Sequence, residues 1–167
     1  MAENKTLDII KGAILLEYRG KALYESVAEK TELKPVKELF EMMVEEEKKH
    51  VEILNKQFVQ VSRGKALDLK DLGDTKPTVV NSVLSESIVK SVAGAGYEAA
   101  VIAAALEFEK NAVKYYGEKE KTATSNEEKK LFNWLTNWET EHMTMLAKID
   151  NEIREQVWYD NNFWPLD

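Results

Sequence analysis

Apolar residues recur every three or four positions along four long segments of the chain, which is the spacing of one face of an α-helix. These segments predict helices at residues 6–31, 35–62, 97–121 and 126–157. A shorter helix is predicted at 79–92, inside a crossover of residues 63–96. The first two helices are joined by a short link, as are the last two, so each pair should form a hairpin. We therefore expect an all-α fold with one domain over 1–167: an antiparallel four-helix bundle of two hairpins and a long crossover.

Local signals at the helix ends agree with these boundaries. Pro35 lies where the second long helix should begin, and proline is favoured in the first turn of a helix. Ser125 and Glu128 have the spacing of a capping box, in which each residue satisfies backbone groups at a helix start. We therefore expect the fourth long helix to begin just after Ser125.

Glutamate and histidine replace apolar residues on two of the helical stripes. Glu47 and His50 occupy successive core positions of the second long helix, and Glu139 and His142 do the same in the fourth. A Glu followed three residues later by a His presents both side chains on one helix face. The chain has two histidines, and both lie in this pattern.

A single glutamate lies on each of the other two long stripes, Glu17 on the first and Glu107 on the third. Glu17 precedes Glu47 by 30 residues and Glu107 precedes Glu139 by 32, so the two halves of the chain repeat. The third stripe is predicted to contain Tyr97, Ala100, Ala104, Glu107, Asn111 and either Lys114 or Tyr115.

A tyrosine follows the single glutamate in each half. Tyr24 lies seven residues after Glu17, and Tyr115 lies eight residues after Glu107, with Tyr116 as a competitor for the second place. These tyrosines either donate hydrogen bonds to the carboxylates or are plain core aromatics.

Four buried carboxylates at one level of a core need compensation, because an unpaired buried charge costs several kcal/mol. Two divalent cations balance four carboxylates, and neutral imidazoles complete such a site. Mixed carboxylate and imidazole ligands suit iron or manganese, and zinc is possible. Taken singly, each glutamate could instead be a solvated surface residue and each histidine a core residue. The predicted metal ligands are Glu17, Glu47, His50, Glu107, Glu139 and His142.

The composition and charge of the chain limit the classes of binding partner that we expect. The 167 residues carry a formal net charge of −7 and dispersed positive charge, so we expect no nucleic acid and no anionic membrane as partner. No apolar run approaches a membrane span, and the polar N-terminus does not resemble a signal peptide. The chain contains no cysteine, which excludes thiolate metal ligands within it and fits a reducing cytoplasm.

The set of motifs resembles the rubrerythrin branch of the ferritin-like superfamily. The matching residues are Glu17 with Tyr24, Glu47-x-x-His50, Glu107 with Tyr115, and Glu139-x-x-His142. The resemblance implies a non-haem di-iron centre that reduces hydrogen peroxide or dioxygen in an oxidative-stress role. It also implies that the six predicted residues are ligands, two of the glutamates bridging the metals, and that the chain forms a homodimer.

Two departures from that family bear on activity. Rubrerythrins carry an extra glutamate one turn after the first glutamate of the third long helix. With Glu107 as that first glutamate, this chain has Lys110 at the corresponding position. Without cysteines there is no rubredoxin domain in these residues, so electrons should come from a separate donor protein such as a rubredoxin. Bacterioferritins share the six-ligand pattern, so a ferroxidase or iron-storage protein is the nearest alternative. A metal-binding or structural bundle without turnover, a manganese catalase and a hydroxylase also remain open.

Overall fold

The structure is a computed structural model that describes residues 2–72, 77–78, 80–92 and 96–160. These ranges contain five α-helices, a short 3₁₀ helix at Lys70–Leu72 and no strand. The all-α prediction is confirmed to that extent. The helices are α1 (Ala2–Lys30), α2 (Lys34–Ser62), α3 (Ser82–Ser91), α4 (Tyr97–Lys121) and α5 (Asn126–Asp160).

The helix ends follow the local signals in the sequence. Pro35 lies in the first turn of α2, as predicted. The side chain of Asn81 accepts a hydrogen bond of 2.8 Å from the backbone N–H of Leu84, so α3 begins at Ser82 and not at 79. Residues 73–76, 79 and 93–95 of the predicted crossover, and residues 161–167 of the predicted domain, lie outside the described residues.

The long helices pack in two antiparallel pairs, α1 with α2 and α4 with α5. Connections of three and four residues force each pair to double back. Tyr24 of α1 contacts Phe40 of α2 near the first connection, with ring centroids 5.7 Å apart. Tyr116 of α4 stacks on Phe132 of α5 near the second, with centroids 6.3 Å apart. The two pairs therefore repeat one arrangement.

Two apolar clusters fill the interior, one on each side of a polar level. Phe40 and Leu146 belong to the first cluster, and Leu54 and Leu131 belong to the second. Along each long helix the buried face passes from one cluster, through the polar level, into the other. The apolar layers thus exclude water from both sides of the polar residues.

The buried face of α4 differs from the predicted stripe. The predicted residues Tyr97, Ala100, Ala104, Glu107, Asn111 and Lys114 are exposed. The buried residues are Ile102, Ala105, Leu106, Glu109, Ala112 and Tyr116. Alanines lie on both faces of this helix, so periodicity alone does not distinguish them. Burying Ile102, Leu106 and Tyr116 removes far more apolar surface from water than burying alanines, and this decides the orientation.

The backbone of the crossover hydrogen-bonds to two buried side chains of α2. The buried Gln57 side chain donates 2.5 Å to the backbone carbonyl of Asp68 and accepts 2.8 Å from its N–H. The backbone N–H of Thr78 donates 2.7 Å to the carboxylate of Glu46 in α2. The described part of the chain includes no helix that is both long and apolar enough to cross a bilayer.

Candidate metal centre

Six ionisable side chains meet at the polar level between the apolar clusters. Each is at most 2 % exposed. One carboxylate comes from α1 and one from α4, while α2 and α5 each supply a carboxylate and an imidazole. The six residues are Glu17, Glu47, His50, Glu109, Glu139 and His142.

These residues form two groups that could each hold a cation. In each group, one oxygen or nitrogen atom from every member lies within 4.8 Å of the others. Glu47 and Glu139 belong to both groups. The first group adds Glu17 and His50, and the second adds Glu109 and His142.

Both imidazoles present Nδ1 to the carboxylates. His50 Nδ1 lies 2.9 Å from Glu17 Oε2 and 3.0 Å from Glu139 Oε1. His142 Nδ1 lies 3.2 Å from Glu139 Oε2 and 3.6 Å from Glu109 Oε1. The ring centroids are 6.3 Å apart, which leaves the carboxylates of Glu47 and Glu139 between the two histidines.

The structure does not bring Glu107 to this cluster. Its side chain is 66 % exposed, and its Oε1 forms an ion pair of 2.6 Å with Nζ of Lys110, one turn away. Glu109, two residues later and fully buried, takes the place that the sequence prediction gave to Glu107. Of the two residues, the structure therefore places Glu109 and not the predicted Glu107 in the cluster, because the buried face of α4 differs from the predicted stripe.

The same correction applies to the second tyrosine. Tyr24 donates a hydrogen bond to Glu109 Oε1, and Tyr116 donates one to Glu17 Oε1. Tyr115 is only partly buried, and its hydroxyl lies where a side chain on Gly12 would otherwise be. Tyr24 thus contacts the cluster, and Tyr116 does so in place of Tyr115.

An internal repeat in the sequence could have identified both residues. Each clustered residue of α1 and α2, and Tyr24 of α1, has an identical counterpart 92 positions later. No insertion or deletion separates the two sets. With Glu109, the intervals of 30 residues and of seven residues are the same in both halves. The matched pairs are Glu17 and Glu109, Tyr24 and Tyr116, Glu47 and Glu139, and His50 and His142.

Burial and mutual repulsion shift the pKa values of the carboxylates. Burial, followed by the charge of Glu139, raises the pKa of Glu109 to about 8. Burial, followed by the charges of Glu17 and Glu139, raises the pKa of Glu47 well above its usual range. Burial opposes ionisation of Glu139 as well, but His50 and His142 outweigh it and lower the pKa of Glu139.

The imidazoles and phenols respond to the same charges. Burial acts to lower the pKa of both histidines, yet the surrounding carboxylates, Glu139 foremost for His50 and Glu109 for His142, raise it well above the usual range. Burial and the neighbouring carboxylates raise the pKa of Tyr24 and Tyr116, so both remain phenols that donate hydrogen bonds. Without metal, protons therefore supply the positive charge that this site requires.

The donor set fits divalent cations. Among the described atoms, Glu109 Oε2 is buried without any hydrogen bond. Glu139 Oε1 is also buried without one of acceptable geometry, although His50 Nδ1 is close. Oxygen atoms buried without a donor, beside an imidazole nitrogen, are what iron, manganese or zinc ligation uses.

Sequence reasoning missed Glu46, which lies just outside the cluster. Its side chain is 1 % exposed. Glu46 Oε2 accepts 2.7 Å from His142 Nε2 and 2.8 Å from Trp138 Nε1. Burial acts to raise the pKa of Glu46, but the hydrogen bonds from His142 and Thr78 outweigh it and lower the pKa to about 2. Glu46 lies within a run of consecutive glutamates that ends at Glu47. Its burial distinguishes it from the exposed Glu45, and burial cannot be read from that run.

Comparison with protein families matches residues 8–150 to the rubrerythrin family. Neither the curated proteins nor the solved structures gave a match. The matched range contains all six residues of the cluster and the two tyrosines that contact it. Because it covers most of the chain, the chain belongs to the rubrerythrin family.

Proposed function

We propose that this protein is a di-iron carboxylate oxidoreductase that reduces hydrogen peroxide or dioxygen as part of an oxidative-stress response. The observation that carries the proposal is the pair of overlapping carboxylate and imidazole groups that share Glu47 and Glu139. Membership of the rubrerythrin family supports iron as the metal. The proposed architecture is a ferritin-like antiparallel four-helix bundle that pairs as a homodimer.

Each residue of the cluster has a role in holding the metals. Glu47 and Glu139 would bridge two ions, because each belongs to both groups. Glu17 and His50 would complete one position, and Glu109 and His142 the other. Four carboxylates and two divalent cations are neutral together, which removes the cost of burying the carboxylates.

Two ferrous ions would supply the two electrons, and solvent two protons, that convert one hydrogen peroxide to two waters. The surrounding chain keeps this chemistry confined. Tyr24 and Tyr116 orient the outer carboxylates by donating to Glu109 and Glu17. The apolar clusters above and below keep bulk water from the ligands. Electrons for the next cycle would come from a separate donor such as a rubredoxin, since the chain has no cysteine.

A second candidate is a ferroxidase or iron-storage function. The extra glutamate of rubrerythrins lies one turn after the first, and with Glu109 as the first this place is Ala112, not Lys110. Ala112 is 2 % exposed and cannot ligate a metal. The remaining six-ligand set resembles that of bacterioferritins. A comparison of peroxide and dioxygen as oxidants separates the two candidates.

The first experiment measures metal content and then reactivity. Protein purified without added metal is analysed by mass spectrometry, loaded anaerobically with Fe(II), and mixed with peroxide or dioxygen in a stopped-flow instrument. About two irons per chain, oxidised faster by peroxide, would support the peroxidase. Faster oxidation by dioxygen, followed by uptake of many irons, would support the ferroxidase. No iron after anaerobic loading would overturn both.

A further inference from the structure

The two halves of the internal repeat differ at several positions next to the cluster, and one such pair changes the surroundings of the histidines. Glu46 precedes Glu47, and the residue 92 positions later, before Glu139, is Trp138. The ligands and their tyrosines are the same in both halves, but these neighbours are a carboxylate and an indole. The two histidines therefore have different surroundings on the side away from the cluster.

His142 has a carboxylate behind it. Its Nε2 lies 2.7 Å from Glu46 Oε2. Glu46 is itself fixed, because Thr78 donates to one oxygen and Trp138 to the other. A carboxylate in this position accepts a hydrogen bond from the Nε2–H of the imidazole and so keeps the proton on Nε2. The lone pair of Nδ1 then faces the cluster, and the imidazole becomes a stronger metal ligand.

His50 has no acceptor in the equivalent place. Its Nε2 is buried, and no described residue pairs with it. The rings nearest to it are those of Trp138 and Trp134, whose centroids lie 5.1 and 5.4 Å from the imidazole centroid, both edge-on. An indole N–H donates and cannot accept, so among the described residues no group holds the His50 proton on Nε2.

We propose that the two metal positions differ in affinity and fill in order, the position at His142 before the position at His50, because Glu46 accepts from Nε2 of His142 and no described residue accepts from Nε2 of His50. This inference rests on the proposed dimetal centre. Glu46 is a positioning residue, since it acts on the metal through His142. Loss of such a partner lowers metal affinity ten- to a hundredfold, which sets the expected difference between the two positions.

The order of filling can be read directly from the two histidines of the wild-type chain. Metal-free protein labelled with ¹⁵N-histidine is titrated with Zn(II), which is diamagnetic and accepts both ligand types. Loss of one signal set in a His50→Gln variant assigns the resonances. At one equivalent and a tenfold ratio, about three quarters of His142 and one quarter of His50 should show the metal-bound shift.

Equal filling, or filling at His50 first, would overturn the inference while leaving the dimetal centre intact. Absence of any Zn(II) or Fe(II) binding would overturn the centre as well. The two failures are therefore distinguishable, and neither depends on turnover.

A variant tests the cause of the order. Glu46→Gln should reduce the ratio of the two binding constants, measured by calorimetry with Zn(II), to below about threefold. Glu45→Gln changes the preceding glutamate, which is exposed and pairs with Lys48, and should keep the wild-type ratio. A folded Glu46→Gln protein with an unchanged ratio would show that Glu46 does not set the order. Circular dichroism of the metal-free variant checks folding, and the wild-type titration decides the order by itself.

Discussion

Glu107 and Glu109 are two residues apart on α4 and point in nearly opposite directions, because successive residues of a helix are rotated by about 100°. The outward residue pairs with Lys110 in solvent, whereas the inward one lies among the clustered carboxylates and imidazoles. This contrast provides an internal control for any test of the site.

Glu109→Gln should weaken metal binding at least about tenfold, since a carboxylate ligand is replaced by a neutral amide of the same shape. Glu107→Gln should bind metal as the wild type does. Metal content after dialysis against limiting Fe(II) measures both variants. Equal loss in the two variants would refute the assignment of Glu109.

Tyr116→Phe should lower the free energy of unfolding of the metal-free protein by about 1–3 kcal/mol, because Glu17 Oε1 would lose its buried donor. Tyr115→Phe should change it by at most about 0.5 kcal/mol, since that hydroxyl is only partly buried. Urea titration at pH 7 in the presence of a chelator gives both values. A larger effect at Tyr115 would contradict the observed contacts.

Five of the six clustered residues follow from the sequence, because Glu47, His50, Glu139 and His142 each have apolar residues before and after them on one stripe, and Glu17 does too. Glu109 does not, since Glu107 satisfies a helical stripe equally well. The choice between them depends on which side of α4 meets the other helices. This orientation depends on tertiary packing, and in the sequence it is indicated by the 92-residue repeat.

At the scale of elements, α5 begins at a junction that also holds α1. Ser125 Oγ accepts 3.1 Å from the N–H of Glu128, so that half of the predicted capping box is present. The Glu128 carboxylate accepts 2.6 Å from the N–H of Thr124, and it also accepts from the hydroxyl groups of Thr124 and of Thr6 in α1. The cap thus joins two helices that are far apart in the sequence.

Glu128→Ala should destabilise the protein by about 1.5–3 kcal/mol, because three donors lose a buried charged acceptor. Glu127→Ala, which changes the exposed neighbouring residue in the same helix turn, should cost about 0.3–1 kcal/mol through the helix dipole alone. Thermal unfolding followed by circular dichroism compares them. Equal losses would mean that the junction contributes nothing beyond the dipole.

The ends of the helices could be predicted from single residues, whereas the orientation of α4 could not. Pro35, Ser125 and Asn81 act on adjacent backbone groups, so their effect is visible in a short stretch of sequence. Asn81 caps α3, so this helix begins three residues after the predicted start at 79. Alanine packs acceptably on either side of a helix, and the Ala99–Ala105 segment consequently carries little information about which side is buried.

At the scale of the whole molecule, metal-free protein should lose stability as pH rises from about 5 to about 8. Glu109 has a folded pKa of about 8, and that of Glu47 is also raised, so the folded state binds more protons than the unfolded state in this range. The raised pKa values of the two histidines act in the same direction. Each group contributes a slope of up to about 1.4 kcal/mol per pH unit.

Melting temperatures at several pH values, with a chelator and with Fe(II) or Zn(II), test this expectation. Metal ions replace the protons, so the loaded protein should not show the same decline. A metal-free melting temperature that rises over this range would contradict the proposed proton compensation.

The correspondence between the halves is the pattern expected if one hairpin had been duplicated. One hairpin supplies two carboxylates and one imidazole, which is half of a centre, so an ancestral single copy could have completed a site only with a second copy of itself. After a fusion of two copies, each half could diverge in sequence while the clustered residues stayed identical in both halves. Glu46 and Trp138 mark one place where the descendants no longer match. Two identical hairpins could not show this difference, so the proposed inequivalence of the two metal positions depends on the divergence of the two halves.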